Sequence, residues 1–262
     1  MSVKKGQEYE LAIESLAYGG KGIARVNDFV IFVKNAIPGQ KVRALVYRKR
    51  KGFGEARPLE ILTESPHTVE APCTHFLTCG GCKIQQLAYD EQVSQKKQQV
   101  ENIFQRQAGI PDFKLESVVP SKNAFNYRNK MEFTFSNRRW ILKDEPENVK
   151  SDFALGLHIP GRYDKILNIN NCHIQKDDAN KILNIVKEHS SEMEPYDILE
   201  HKGFLRNLMI RHTENTNEIM VNIITAFEDV QTLEQTIRDS AEKTNKRFFF
   251  LIFRTEWHLL PP

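Results

Sequence analysis

The residues best able to bind a metal or take part in a reaction are four cysteines, three of which share one short segment. Cys73, Cys79 and Cys82 lie within ten residues, and Cys172 stands alone much further along the chain. Gly80-Gly81 allows a tight backbone turn between the second and third sulfur. Four thiolates are the usual ligand set of an iron–sulfur cluster, whereas structural zinc sites more often show two Cys-x-x-Cys pairs and this chain has one. The spacing therefore favours a cluster, with zinc as the runner-up and unliganded thiols as a third interpretation.

Two histidines adjoin these cysteines, and the rest of the sequence indicates their compartment. His75 and His173 could replace a thiolate, but four cysteines already suffice, so we expect the histidines to be supporting or surface residues. The chain opens Met-Ser-Val-Lys-Lys without an apolar leader, which predicts a reducing, cytoplasmic location where disulfides are disfavoured. No run approaches the roughly 18 apolar residues that a membrane span needs, so we expect no membrane partner.

Positive charge is concentrated near the N-terminus although the whole chain carries only +3. Residues 1–62 contain 12 Lys and Arg against 6 Asp and Glu, and Lys41–Arg57 alone nets +6 over 17 residues. A basic segment that contains an aromatic side chain suits phosphate contact and base stacking, although a merely solvated hairpin would look the same. The candidate RNA-binding residues are Arg25, Lys41, Arg43, Arg48, Lys49, Arg50, Lys51, Phe53, Arg57 and, beyond this segment, Arg128.

The elements that must position these side chains begin with short strands. Turn residues separate apolar alternating runs at Tyr9–Ile13, Ile23–Val26, Phe29–Val33, Lys41–Tyr47 and Glu55–Leu62. Five short strands in so few residues predict a small closed β-barrel of the oligonucleotide-binding type.

The remainder of the chain predicts a mixed α+β domain. A helix is expected over Asp90–Gln107, with Asp90 as its N-cap, Gly109 as its stop and an apolar face of Val93, Val100, Ile103 and Phe104. Strands are expected at Leu115–Val119, Lys130–Ser136, Phe153–His158 and Ile219–Thr225, and a second helix at Asp177–His189 with Ile182, Leu183, Ile185 and Val186 inward. We expect three regions: a barrel at 1–62, a Cys-rich loop and helix at 63–109, and the α+β domain at 110–262.

Several stretches extend these patterns into a family resemblance. Gly19-Gly20-Lys21-Gly22-Ile23-Ala24-Arg25 and Ile37-Pro38-Gly39-Gln40-Lys41-Val42 resemble the TRAM domain, a small RNA-binding barrel. Cys79-Gly80-Gly81-Cys82-Lys83-Ile84-Gln85-Gln86-Leu87, Tyr127-Arg128-Asn129-Lys130-Met131-Glu132-Phe133 and Asn171-Cys172-His173-Ile174-Gln175 are similar to the RNA uracil-5-methyltransferases. This resemblance implies that the four cysteines ligate a 4Fe–4S cluster. It also implies that the partner is RNA, with the branch acting on 23S ribosomal RNA as the nearest match, and that S-adenosylmethionine serves the full-length enzyme.

The catalytic parts of that chemistry are not recognisable in the sequence. Methylation at uracil C5 needs a nucleophile, and the cluster would occupy every cysteine. The glycines after Gly109 form no Gly-x-Gly loop that could hold the methyl donor. We therefore expect no catalytic residue here, an absent C-terminal methyltransferase domain and a chain that is inactive alone. The apolar run Arg247–Phe253 near the chain end could support association.

Two rival functions remain open at this point. One is a stand-alone RNA-binding protein with a structural metal site and no catalysis. The other is a ferredoxin-like electron carrier, which the remoteness of Cys172 and the basic barrel disfavour.

Overall fold

A computed structural model describes residues 2–226, Arg238, Glu242 and Phe248–Arg254. The chain divides into two compact units. The first comprises Met1–Leu77 and Cys82–Lys122, and the second comprises Thr78–Gly81 and Asn123–Pro262. No helix among the described residues is long and apolar enough to cross a membrane.

A six-stranded sheet forms most of the first unit. Its strands are β1 (Glu8–Ala12), β2 (Ser15–Leu16), β3 (Gly22–Val26), β4 (Phe29–Val33), β5 (Lys41–Lys49) and β6 (Phe53–Thr63). The order across the sheet is β1-β5-β6-β4-β3-β2. All pairings are antiparallel except β4 with β6, which run parallel.

The expectation of a closed five-stranded barrel is wrong in strand number and in closure. The predicted strand Tyr9–Ile13 corresponds to β1 (Glu8–Ala12), and an additional strand, β2 (Ser15–Leu16), follows it because the chain changes its pairing partner: β1 pairs with β5, and β2 pairs with β3. This change of partner occurs between two adjacent residues. Ile13 N–H donates to Gln40 O and Glu14 N–H donates to Ile23 O, both at 2.8 Å. Within the described residues β1 and β2 form the two edges of the sheet and are not paired with each other.

Alternation along the strands builds the core of this unit. In β5, Val42, Ala44 and Val46 are fully buried while the residues between them face outward. Ile31 and Val33 of β4 join the same cluster. A period of two residues is the pattern of a sheet with one buried and one solvated face, so the outer face of these strands is free to carry function.

Helix α1 (Tyr89–Asn102) follows the Cys-rich segment and continues into a π-helical turn at Ile103–Gln107. Gly109, at φ +71°, stops the helix as expected. The expected N-cap at Asp90 is wrong. Ala88 occupies the N-cap position and Asp90 lies in the first turn, where its carboxylate accepts a hydrogen bond from Glu91 N–H at 2.9 Å.

The predicted apolar face of α1 is not its buried face. Val93 and Val100 are half-buried, and Ile103 and Phe104 are exposed. The buried residue is Gln95 instead. Its side-chain oxygen accepts a hydrogen bond from Leu16 N–H at 2.8 Å, and Gln99 donates to Leu16 O and Ala17 O at 3.1 and 3.3 Å. The helix therefore meets the backbone of β2 with amide side chains, which is why apolar spacing misidentified the face.

The second unit contains another six-stranded sheet and one helix. The strands are β7 (Lys130–Ser136), β8 (Ala154–Ile159), β9 (Arg162–Asn168), β10 (Leu205–His212), β11 (Ile219–Thr225) and β12 (Phe248–Arg254), in the order β12-β11-β10-β7-β8-β9. Helix α2 spans Asp177–His189, as predicted. The predicted strands at Lys130–Ser136 and Ile219–Thr225 are confirmed and Phe153–His158 is shifted by one residue. The predicted strand at Leu115–Val119 is wrong, because that stretch has no strand partner.

Buried apolar residues of the sheet and of α2 form the core of the second unit. Ile182, Leu183, Ile185 and Val186 of α2 are all buried, as predicted. The apolar run before the chain end becomes β12, which pairs in parallel with β11. Its expected role in association stays a prediction, because its side chains lie outside the described ones.

Candidate nucleic-acid interface and cysteine segment

The hairpin between β5 and β6 carries accessible positive charge. Lys49 pairs with Gly54, and Arg50 N–H donates to Phe53 O at 2.8 Å, which closes a tight turn. Arg50 and Lys51 at its tip are exposed and form no ion pair with any described residue. Two unneutralised cations on a protruding turn can approach a phosphate chain at little desolvation cost.

The other predicted RNA-binding cations of the sheet are largely engaged with carboxylates. Lys41 pairs with Glu10 at 2.6 Å. Arg43 lies between Glu60 at 2.8 Å and Glu8 at 3.4 Å. Arg25 pairs with Glu14, Arg48 pairs with Glu55, and Lys49 lies 5.7 Å above the Phe29 ring, within cation–π range. Part of the net +6 of this segment is therefore already engaged within the protein, and its cations are not equally available to RNA.

Glu55 is the centre of one such arrangement. Its oxygens lie 2.6 Å from Lys21 Nζ and 3.2 Å from Arg48, and its side chain is 13% exposed. The hydrogen bond from Lys21, reinforced by Arg48 and opposed by burial, holds the pKa of the Glu55 carboxyl below its usual range. Glu55 thus ties the loop that contains Lys21 to the β5–β6 hairpin.

An aromatic pair lies beside these charges on the outer face of the sheet. Phe53 packs edge-on against Phe32 with ring centroids 5.5 Å apart, and both side chains are half-buried. Phe53 is the first residue of β6 and lies opposite Val30 of β4. Arg57, four residues further along β6, is exposed. A half-exposed aromatic surface bordered by cations can stack bases as well as bind phosphates.

Arg128, the remaining predicted RNA-binding residue, belongs to the second unit. Its backbone N–H donates to Ile174 O at 2.8 Å, and its guanidinium Nε donates to Lys130 O at 3.0 Å while the side chain stays exposed. The Ile174 bond attaches the Arg128 segment to the loop that carries Cys172.

Cys73 and Cys82 belong to the first unit. Burial raises the pKa of the Cys73 thiol, with a smaller contribution from the nearby Cys82 sulfur, while hydrogen bonds from the backbone of His75 and Phe76 act in the opposite direction. Backbone N–H groups directed at a sulfur are the environment in which a thiolate ligand is stabilised. Burial without a cation, however, leaves this sulfur a thiol at neutral pH when it is unliganded.

Cys79 and Cys172 belong to the second unit. The Cys79 sulfur accepts a hydrogen bond from Gly81 N–H at 3.3 Å. The Cys172 backbone is held by Asn180 of α2, whose side chain accepts from Cys172 N–H at 2.8 Å and donates to Cys172 O at 3.3 Å. Gln175, fully buried, also donates to Asn180, at 2.6 Å. Helix α2 therefore fixes the backbone that presents this cysteine.

The described side chains do not bring the four cysteines together at a metal site. None of the four forms a disulfide. Among the described residues, no group of three or more Cys, His, Asp or Glu side chains converges in a way that could hold a metal ion. His173 contacts Asn171 and Phe125, and His75 supports Cys73 through its backbone, in keeping with the supporting roles expected of them.

Sequence reasoning missed three residues that shape these regions. Glu55 was counted only as one opposing charge, Phe32 was read only as part of a strand, and Asn180 was an unremarked helix position. Only the register of the strands and the position of α2 reveal their contacts, so the sequence carried no separate signal for them.

Comparison with known proteins places the first sheet in a described domain type. Residues 2–59 match the TRAM domain model. The chain is also 34% identical to an uncharacterized RNA methyltransferase of Chlorobaculum tepidum over 91% of this chain and 51% of that protein. Uncharacterized RNA methyltransferases of Porphyromonas gingivalis and Bacteroides thetaiotaomicron are 36% and 40% identical over 89% and 84% of this chain, and over 52% and 49% of theirs.

A solved structure shares the fold along nearly the whole chain. The crystal structure of Pyrococcus abyssi tRNA (uracil-54, C5)-methyltransferase in complex with S-adenosyl-L-homocysteine superposes with a TM-score of 0.59 at 23% identity, over 95% of this chain and 52% of that chain. The chain spans about half the length of the curated relatives it matches. These matches do not support the expected inactivity, because similarity over part of a relative measures no activity.

Proposed function

We propose that this chain acts in S-adenosylmethionine-dependent methylation of RNA at uracil C5, with its first sheet as an RNA-binding surface. The observation that carries the proposal is the TRAM match over residues 2–59, on a chain whose RNA methyltransferase relatives align with most of its length. The exposed cations at the β5–β6 turn and the adjacent Phe32–Phe53 pair support RNA as the ligand.

We assign RNA contact first to Arg50, Lys51 and Arg57, because no described carboxylate neutralises them. Lys49, Arg48, Arg25, Lys41 and Arg43 are proposed as a second tier that must exchange a protein partner for phosphate. Such exchange lowers the net gain, since each released carboxylate must be resolvated. Phe53 is proposed as a stacking surface together with Phe32.

The RNA is proposed to be 23S ribosomal RNA. The reason is the combination of a TRAM domain with the four-cysteine pattern, which resembles the ribosomal RNA branch of the uracil-5-methyltransferases. S-adenosylmethionine would supply the methyl group. The described residues contain no glycine-rich strand–loop–helix turn that would cradle this donor, so no residue is assigned to it.

The test of activity uses the protein expressed from its own gene. Unmodified 23S and tRNA transcripts are incubated with methyl-labelled S-adenosylmethionine and digested to nucleosides. We expect labelled 5-methyluridine from the 23S transcript and none from tRNA, a result that requires a nucleophile other than the four proposed cluster ligands. Label in tRNA alone would reassign the substrate. RNA binding without any transfer would instead support a stand-alone RNA-binding protein.

We also propose Cys73, Cys79, Cys82 and Cys172 as ligands of a 4Fe–4S cluster. The hydrogen bonds that reach the sulfurs of Cys73 and Cys79 support thiolate ligation. Protein purified without oxygen should contain about four iron and four sulfide per chain. Cys172→Ser should lose this iron, while the matched variant His173→Ala should keep it. Stoichiometric zinc without iron would identify the runner-up metal and refute the cluster.

A further inference from the structure

The second sheet carries a small cavity, lined by apolar as well as polar side chains, that the preceding assignments do not use. Successive residues of β7 and β10 alternate in burial: Phe133 and Leu208 are fully buried, whereas Thr134 and Asn207 between them are half-exposed. Thr134 lies opposite both Gly156 and Asn207 in the sheet.

Aromatic and cationic side chains border the cavity. Its lining includes Thr134, His158, Tyr163, Tyr196, Arg206 and Asn207. The Arg206 guanidinium lies 4.2 Å above the Tyr196 ring, and Tyr163 of β9 is 68% exposed at the rim. A guanidinium stacked on an aromatic ring and a nearby tyrosine provide flat surfaces of the kind that hold bases by stacking.

Polar atoms converge at the floor of the cavity. Asn207 Nδ2 donates to Thr134 Oγ1 at 3.3 Å, and His158 Nε2 lies 3.4 Å from the same oxygen. The Asn207 carbonyl oxygen accepts no hydrogen bond from the described residues, which leaves it available as an acceptor. An Asn amide can read a base edge because it presents a donor and an acceptor side by side.

The size of the cavity restricts its occupant. Its volume is about 130 Å³. A cavity of about 150 Å³ in another protein accommodates benzene. One six-membered ring therefore matches this space more closely than the fused rings of a purine do.

We propose that this cavity binds one unpaired pyrimidine base of the RNA, and this inference rests on the proposed RNA-binding function. Tyr163 and the Tyr196–Arg206 pair stack on the base, and Asn207 with His158 contacts its hydrogen-bonding edge. The cavity thereby adds base selectivity to the sequence-independent phosphate contacts of the first sheet.

The test compares oligouridine, oligocytidine and oligoadenosine of equal length by fluorescence anisotropy. The wild-type protein should prefer the pyrimidine strands. Tyr163→Ala should weaken oligouridine binding on the order of tenfold, as expected for one lost stacking contact, with a smaller effect on oligoadenosine. Tyr163→Phe should retain binding because the ring remains. Tyr127→Ala, which removes an exposed tyrosine outside the cavity, should change nothing.

A second variant and a second readout separate the possible failures. Asn207→Ala should weaken the binding of both pyrimidine strands while leaving the unfolding profile cooperative. RNA containing 4-thiouridine should cross-link to peptides of β9 or β10. Tight RNA binding without any base preference, or unchanged selectivity in Tyr163→Ala, would overturn the cavity assignment alone. No binding to any strand would overturn the RNA-binding proposal as well.

Discussion

Removing the two cations at the β5–β6 turn should flatten the salt dependence of RNA binding by a predictable amount. For single strands, log K changes with log salt by about 0.7 for each phosphate neutralised. Arg50 and Lys51 are exposed and unneutralised, so each can serve one phosphate. The double alanine variant should therefore lose about 1.4 from the slope. Relative to binding at about 1 M salt, this smaller slope means an affinity about 25-fold lower at about 0.1 M salt, or about 1.9 kcal/mol.

The matched control removes two cations from strand β5, which leads into this turn. Lys41→Ala with Arg43→Ala changes the net charge equally, but those side chains are already paired with Glu10, Glu8 and Glu60. We expect its slope to change by less than about 0.5, because few counterions are released where a carboxylate already neutralises the cation. Both variants should unfold at nearly the wild-type temperature, since exposed ion pairs contribute little to stability.

Anisotropy titrations at several salt concentrations measure both slopes with one labelled oligonucleotide. Equal slope changes in the two variants would refute the argument. They would mean that RNA senses the total charge of the first sheet and not individual unneutralised side chains.

Three further predictions concern the second unit and are checked by unfolding measurements. Asn180→Ala should lower the unfolding free energy by about 1–3 kcal/mol, because it leaves the buried backbone of the Cys172 loop without its partner. Asp197 accepts hydrogen bonds from Asn137 and backbone N–H groups, which hold its pKa well below the ordinary value. Its stabilisation is thus complete above about pH 4 and is lost as the pH falls further, so Asp197→Asn should flatten the acid limb of the stability profile and an unchanged limb would contradict this. Gly156→Ala places a Cβ 1.9 Å from a carbonyl oxygen of β9 and should cost about 3 kcal/mol or more, whereas Gly52→Ala meets no neighbour and should be tolerated.

The elements that the sequence predicted well are those that bury apolar side chains with regular spacing. Helix α2 and strands β7 and β11 were located to the residue because their apolar period reflects contact with a core. Leu115–Val119 has a similar local pattern but no neighbouring strand, and local pattern cannot supply one. Helix α1 was found, yet its inward face was misassigned because that face forms hydrogen bonds to a strand backbone and buries little apolar surface.

The candidate interface was predictable in composition but not in availability. The run of basic residues is plain in the sequence, whereas the carboxylates that neutralise part of it come from other strands. Arg43, for example, lies opposite Glu10 on one neighbour and Glu60 on the other. Those pairings follow from strand register, which in turn depends on three register shifts between β5 and β6 that no turn motif in the sequence predicts.

The amide contacts between α1 and β2 have a consequence for the isolated first sheet. Gln95 and Gln99 occupy the backbone groups of Leu16 that another strand would otherwise use. A fragment that ended before the helix would leave this edge open, and open edges recruit further copies of the same strand. We therefore expect a fragment of residues 1–62 to self-associate as its concentration rises, while one extended to residue 109 stays monomeric. Helix α1 thereby protects the β2 edge of the first sheet from pairing with further strands.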